Sequence, residues 1–426
     1  MNRLSCLIAA IAATLLLNGC LGGAFNLGSS AAPPANIKIT PGDSQVTLTW
    51  DTTPGVEYWV FAAPGSSITT SNWDVAGGSA FPKATSPHVV VGLTNGTAYA
   101  FTINSRIDGG PGGAGSPSIS ATPRLAGIEW VNGNALTTNN LNGVAFGSGS
   151  SNGITQGTFV AVGAHGALYS SPDFNAWTTP TWTALTNLGS ADLYAATYQG
   201  SLYVAVGASG TILTSGDTLT WTQQTSNTTM NLYGTGINGA GGVVAVGQAG
   251  AIVASANGTS WTALTPPAAA NGNDLHGVAF GNNTWVVVGN GGTLLTSANG
   301  VTWTAPISLA PTINLKSVAY GVNVDPATNT ITGYLFVAIG DNGVLVTSAD
   351  GVTWTQSTIG ATNNLAAVTF GREFIAVGDS GSIFTSSNGT VWTTRAANTT
   401  SNLKAIGHST ANYSAVGATG TNLSAI

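Results

Sequence analysis

The residues able to do chemistry in this chain are few and widely spaced. Two aspartates occupy matching places in short glycine turns, Asp341 in "IGDNG" and Asp379 in "VGDSG". If neighbouring turns brought them face to face, one carboxyl could protonate a glycosidic oxygen while the other activated water or stabilised charge. A further charged pair, Arg372-Glu373, sits in the tight turn "FGREF". His88, His165, His276 and His408 lie far apart, and neither a His-x-x-x-His nor a cysteine pair suggests a metal. The stretch "NVDPATNTITG" (323–333) is too poor in acids for a calcium loop and reads as a hairpin connection. No phosphate-binding glycine loop follows a strand and opens a helix, so the sequence implies no cofactor.

The elements that carry these residues repeat. The Gly-x-x-Gly turn recurs as "VGAHG", "VGASG", "VGQAG", "VGNGG", "IGDNG", "VGDSG" and "VGATG", seven copies 38 to 51 residues apart. In the first six copies a tryptophan follows the first glycine by 14 residues: Trp177, Trp221, Trp261, Trp303, Trp354 and Trp392. A fixed period this long means a propeller or a solenoid, and strand-length apolar runs choose the propeller. Each copy reads as four strands. The inner one begins with leucine, as in "LHGVAF" and "LKSVAY". Its third residue is always small: Gly143, Ala195, Gly234, Gly277, Ser317, Ala367 and Ala405. Blades crowd most at the axis, where bulk would push them apart. The seventh copy ends at "GTNLSAI" without a tryptophan or fourth strand, whereas "GIEWVNG" (127–133) precedes the first inner strand with Trp130 unassigned. The N-terminal segment is therefore expected to complete the last blade and remove its open edge.

Composition bounds the rest. Only 6% of residues are charged, the formal net charge is −6, and the nine basic residues make no nucleic-acid footprint. "MNRLSCLIAAIAATLLLNGC" has a basic start and an apolar stretch too short to span a membrane with normal flanks, so residues 1–19 read as a secretory signal. Its end, Leu17-Asn18-Gly19-Cys20, resembles the bacterial lipobox. That resemblance implies cleavage before Cys20 and acylation of it. By the same resemblance, Leu21 in the next position implies the outer membrane, on the periplasmic side or the cell surface. Only Cys20 would remain in the mature chain, so no internal disulfide forms. Residues 20–34 are small and Gly-, Ser- and Pro-rich, a tether.

Residues 35–124 hold short strands around "SQVTLTW", "EYWVF", "HVVVGLTNGTAYAFTINSR" and "SPSISATP", the pattern of an antiparallel sandwich. Their order resembles a fibronectin type III domain, with Trp50 on the second strand, Leu93 before the turn and Tyr99 at the tyrosine-corner position. The fold class expected for the whole chain is all-β: a fibronectin type III-like β-sandwich, then a seven-bladed β-propeller over 125–426.

The Ser-x-Asp-x-x-x-Trp of Ser348, Asp350 and Trp354 resembles the Asp-box, or sialidase-type repeat. Asn257, Asn299 and Asn388 fill the aspartate slot in other copies, so the residue is a turn-maker and not an acid. Sialidases hold a carboxylate with three arginines. This propeller has Arg372 and Arg395, with Arg124 at its boundary, and departs from that pattern. The "VAVG–GxIxTSxDGxTW" texture over 127–426 also resembles the photosystem II assembly and stability factors, non-catalytic propellers that bind a client protein. This chain lacks their basic patch. The resemblance implies a non-catalytic binding propeller; with the expected lipid anchor, the chain is expected to be a binding scaffold for a protein or glycan partner at the cell envelope. The alternative is a glycan-active hydrolase of the sialidase or glycosidase propeller type, with Asp341 and Asp379 as its carboxylates.

Just before each inner leucine stands Asn140, Asp192, Asn231, Asp274, Asn314, Asn364 or Asn402. These residues either cap the turns or form a polar rim around the channel mouth. His276, Lys316 and Lys404 follow the leucines and add basic groups there. The expected binding face is therefore Asp192, Asp274, His276, Lys316, Asp341, Asp379 and Lys404.

Overall fold

The computed structural model describes residues 28–151, 154–172, 183–185, 189–270, 272–305, 309–325, 330–409 and 412–425. The expected leader, Cys20, and Asp173 and Trp177 of the first repeat lie outside these residues. The chain divides into two compact units, Met1–Pro123 and Arg124–Ile426, and its regular structure is strands joined by turns and three-residue 3₁₀ segments.

In the first unit, Lys38–Gly42, Gln45–Thr49 and His88–Val91 form one sheet. Val56–Pro64, Ser79–Ala84, Tyr99–Ile107 and Ile119–Ala121 belong to the other. Alternate residues of both face one core: Val46 and Leu48 from the first sheet, Val60, Phe101 and Ile103 from the second, with Trp50 and Tyr58 between them at 5.7 Å. The Tyr99 hydroxyl accepts the Thr94 N–H at 3.2 Å, a tie from a strand start to the backbone just upstream. Ser29–Ala31, inside the stretch expected as a tether, pairs with Ser105–Ile107. Ser79–Ala84 escapes a sequence reading because Pro82 removes a donor and Lys83 has φ 54°, which breaks the alternation.

The second unit is a succession of small antiparallel sheets. Their first strands are Leu141–Ser151, Leu193–Gln199, Leu232–Ile237, Leu275–Gly281, Leu315–Asp325, Leu365–Phe370 and Leu403–His408. Every one starts at its leucine, and all seven leucines are buried. Second strands such as Thr284–Gly289 and Phe374–Gly378 are buried on both faces, which is why they read as continuous apolar runs. Each first strand packs on the next, and Leu403–His408 packs back on Leu141–Ser151. The core between sheets is shared in the same way: Val144 and Phe159 of the first sheet cluster with Ala405 and Val416 of the last. A Cβ on Gly143 would come within 2.8 Å of the Ala195 Cα, and one on Gly277 within 2.9 Å of the Ser317 Cα, so the small third residues permit the closest approach of the strands.

Trp130–Asn132 supplies the fourth strand of the last sheet, pairing Trp130 with Ala425 and Asn132 with Leu423. Trp130 is buried and its Nε1 donates to the Gly127 carbonyl at 2.8 Å. The repeat tryptophans use the same i to i−3 bond: Trp221 to Thr218, Trp261 to Gly258, Trp354 to Gly351 and Trp392 to Gly389. The last repeat is thus split, its third strand at the C-terminal end and its tryptophan near the start of the unit. Trp303 differs. Among the described residues its Nε1 has no partner, and its sheet is closed by one bridge, Thr296 to Thr304, where the other sheets have a fourth strand.

The Ser-x-Asp/Asn turns close on themselves. Asp350 Oδ1 accepts the N–H groups of Val352 and Thr353 at 2.8 and 2.7 Å, and Ser348 Oγ accepts that of Gly351 at 2.8 Å. Asn257, Asn299 and Asn388 hold the same amides through Oδ1. The Thr353 and Val352 amides hold the Asp350 carboxyl down to about 2.

Candidate functional site

The seven Gly-x-x-Gly turns carry a local strain that repeats through the second unit. The residue before the second glycine is left-handed in each: φ is 55° at His165, 52° at Ser209, 54° at Ala249, 55° at Asn342, 54° at Ser380 and 50° at Thr419, with Gly291 at 62°. Such backbone persists only where its surroundings hold it. The holding groups are the Asn and Asp residues that precede the leucines. Each backbone carbonyl accepts an N–H from its own sheet's turn, as Asn140 does from Ala164 at 2.9 Å and Asp192 from Ala208 at 2.8 Å. Each side-chain Oδ1 accepts the N–H of the left-handed residue in the preceding sheet. Asp192 takes that of His165 at 2.8 Å, Asn231 of Ser209 at 2.9 Å, Asp274 of Ala249 at 2.9 Å and Asn314 of Gly291 at 3.1 Å. Asn364 takes that of Asn342 at 3.0 Å, Asn402 of Ser380 at 2.9 Å and Asn140 of Thr419 at 3.2 Å. This set is a closed series of ties between sheets. The Oδ1 atoms of Asp192 and Asp274 are occupied by it.

Inside that series, the residue after each leucine is displaced from the ladder. The register shifts between the leucine and the third residue in all seven first strands, so Asn142, Tyr194, Tyr233, His276, Lys316, Ala366 and Lys404 are extra residues in β-bulges. A bulge re-aims its side chain. Here all seven line one axial channel of about 210 Å³. Sequence reasoning placed His276, Lys316 and Lys404 near a channel mouth but missed the two tyrosines and the bulge that aims them. The only local signal was the polar or aromatic residue between a leucine and a small residue.

The channel wall is unequal around its circumference. Tyr194 meets Tyr233 edge-on at 5.4 Å, and Tyr233 stacks on His276 at 5.5 Å. His276 Nε2 lies 2.9 Å from Asn290 Oδ1, which also accepts from Lys316 Nζ at 3.2 Å. Lys316 Nζ is 3.8 Å from Asp341 Oδ2, and that oxygen accepts from Asn314 Nδ2 at 3.0 Å. The structure thus brings His276, Lys316 and Asp341 into one network. Asp379 instead accepts from Asn364 Nδ2 at 3.1 Å, in the equivalent turn of the next sheet. Lys404 is half-buried and makes no hydrogen bond or ion pair to a described residue. Burial, then the nearby Lys316 ammonium, push the His276 pKa below its ordinary value, against the pull of Asn290, Asp274 and Asp341.

A second depression, of about 710 Å³, opens at the far ends of the first strands of four sheets, lined among others by Phe146, Tyr198, Arg372, Ile406 and His408. The Arg372 N–H donates to the Tyr413 hydroxyl at 2.9 Å. Among the described residues, no group of three or more His, Cys, Asp and Glu could hold a metal ion.

Solved structures with the same fold include three β-propellers. One described as "YCF48 bound to D1 peptide" is 17% identical, with a TM-score of 0.52 over 70% of this chain and 96% of that one. YCF48 from Cyanidioschyzon merolae is 17% identical, with a TM-score of 0.51 over 69% of this chain and 98% of that one. The WD40 β-propeller domain of Doa1 is 11% identical, with a TM-score of 0.50 over 70% of this chain and 97% of that one. The chain is therefore all-β and contains a propeller. No protein-family model and no curated protein matches it.

Proposed function

We propose that this chain is a cell-envelope lipoprotein whose seven-bladed propeller is a non-catalytic scaffold for a protein segment. Cys20 carries the lipid, residues 35–124 act as a fibronectin type III-like spacer, and the propeller captures its partner on the face bearing Asp192, Asp274, His276, Lys316, Asp341, Asp379 and Lys404. The observation that carries the reading is the axial mouth. Seven bulged strands turn side chains into one channel, while the turns around it are braced by ties between sheets. A braced rim that presents a few unlike side chains suits recognition. The likeness to a YCF48 propeller bound to a peptide supports a peptide-like partner. Asp341 and Asp379 each bond an asparagine of their own sheet, which favours turn bracing over acid–base work.

The test is comparative capture. Lipidated protein is cross-linked in native envelope and recovered with its partner, beside the double variant Asp341→Ala with Asp379→Ala. The reading expects less partner on the variant at an unchanged circular-dichroism signature. It also expects Cys20→Ala to move the protein to the soluble fraction, because stable anchoring needs two or more acyl chains. Equal capture by the double variant would remove this face from the reading. Turnover of a sialoside or β-glucan, lost in Asp341→Asn, would replace the scaffold with a hydrolase.

A further inference from the structure

The bulge residues divide the axial channel into two unlike arcs. Ring order follows from which first strands pack together. Tyr194, Tyr233 and His276 stand on three consecutive strands as one aromatic arc. Lys316 and Lys404 flank Ala366 on the next three, so the two ammonium groups border a gap left by a methyl side chain. In a ring of seven, the strands opposite Ala366 are those of Tyr194 and Tyr233. An apolar stem entering along the axis would lie against the tyrosine rings and reach the lysines with its end.

The lysines are not equivalent. Lys316 is held by Asn290 and lies near Asp341. Lys404 is half-buried with no described partner. An ammonium without a described counter-charge can take a bound anion by charge-assisted hydrogen bonds. The carboxylates around the mouth are engaged elsewhere: Asp192 and Asp274 in the ties between sheets, Asp379 with Asn364. Tyr194 and Tyr233 line the same channel, and no hydrogen bond ties either hydroxyl to a described residue, which leaves two neutral donors available.

We propose that the axial channel is a carboxylate-binding site that takes an acidic side chain of a partner protein, its stem against Tyr194 and Tyr233 and its carboxylate between Lys316 and Lys404. A glutamate has the matching form, an unbranched stem ending in a carboxylate that two lysines can bind by charge-assisted hydrogen bonds. The channel is small, about 210 Å³ between the seven first strands, which suits one unbranched stem. The proposal rests on the reading of this face as the binding face.

The experiment uses the full soluble chain (Cys20→Ala) with its lysines converted to ¹³C-dimethyl-lysine, which keeps their charge. Lys38, Lys83, Lys316 and Lys404 are the only lysines, so each signal is assigned by one substitution. The probes are glutamate capped as N-acetyl and α-methylamide, the same capped glutamine, N-acetylalanine as a free chain terminus, and glucuronate. The expected result is saturable movement of the Lys316 and Lys404 signals with capped glutamate and none with capped glutamine. Lys38 and Lys83 should stay still. Lys404→Gln should weaken binding by about tenfold or more, the loss of one charge-assisted bond, and Tyr194→Phe should weaken it less. Melting curves for both variants separate a binding loss from a folding loss.

Equal movement of all four lysines, or none, would overturn the proposal. Glucuronate binding as well as capped glutamate would make this a uronate site. Binding of N-acetylalanine in place of capped glutamate would make it a chain-terminus site. If capped glutamate fails while Asp341→Ala with Asp379→Ala still reduces envelope capture, the channel proposal falls and the scaffold reading stands. If capped glutamate binds while capture is unchanged, the reverse holds.

Discussion

Asn140 Oδ1 accepts the backbone N–H of Thr419 at 3.2 Å, joining residues 279 apart in the chain. The same bond, made six more times between consecutive sheets, holds a left-handed turn residue in place. This one differs only in joining the last sheet to the first. Asn140→Ala should therefore cost about 1 kcal/mol, the net worth of one hydrogen bond near the surface. It should cost about as much as Asn231→Ala, which removes the tie to Ser209. Thermal unfolding measures both. An Asn140→Ala protein as stable as the parent would mean that the junction is held without this tie.

Trp130 is the larger element of the same junction. It is buried, bonded to Gly127 and paired with Ala425. Trp130→Ala should destabilise the second unit by about 3–5 kcal/mol, the usual cost of removing a buried aromatic. Deleting 125–133 should cost more, since it also exposes the edge of Asn422–Ala425. Chemical denaturation reads both changes. A midpoint unmoved by the deletion would show that the fourth strand adds nothing.

Asp350 gives an acid limb that its asparagine equivalents lack. Its folded carboxyl lies at about 2 against an ordinary 3.8. The folded state thus releases the proton more readily. The contribution is complete above 3.8 and is lost as pH falls through the folded value. Asp350→Asn should keep the turn, as Asn299 does, and shift stability less in acid than the parent. Asp350→Ala should lose stability at neutral pH as well. Melting temperatures across about pH 2 to 5 separate the three proteins.

The histidines act on a different window. Burial lowers the pKa of His88, His276 and His408 from 6.5, with Lys316 adding to the effect at His276. Below 6.5 the unfolded chain takes up protons that the folded chain refuses, so stability falls as pH drops through that value. The melting temperature should be lower at about pH 5.5 than at about pH 7.5. His276→Gln should reduce the slope. A melting temperature that rises on acidification would contradict the burial of these rings.

Much of the second unit was legible because its determinants are local. A leucine starts each first strand, a small residue follows two places later, and a glycine turn ends each second strand. These features recur at one period because each sheet solves the same steric problem. The Asn-for-Asp exchange likewise marks Asp350 as a turn residue from the sequence alone. What only the tertiary structure decided lies between sheets. Asn140 and Thr419 carry no mark that they are partners, because the bond depends on where the first and last sheets meet. Trp130 could be assigned to the last repeat by counting, but its pairing with Ala425 is a matter of register. The bulge is the clearest case. Alternation along "LHGVAF" does not say which way His276 points, since one extra residue reverses the side-chain direction. Seven such shifts turned positions that look like ordinary strand residues into the lining of a channel.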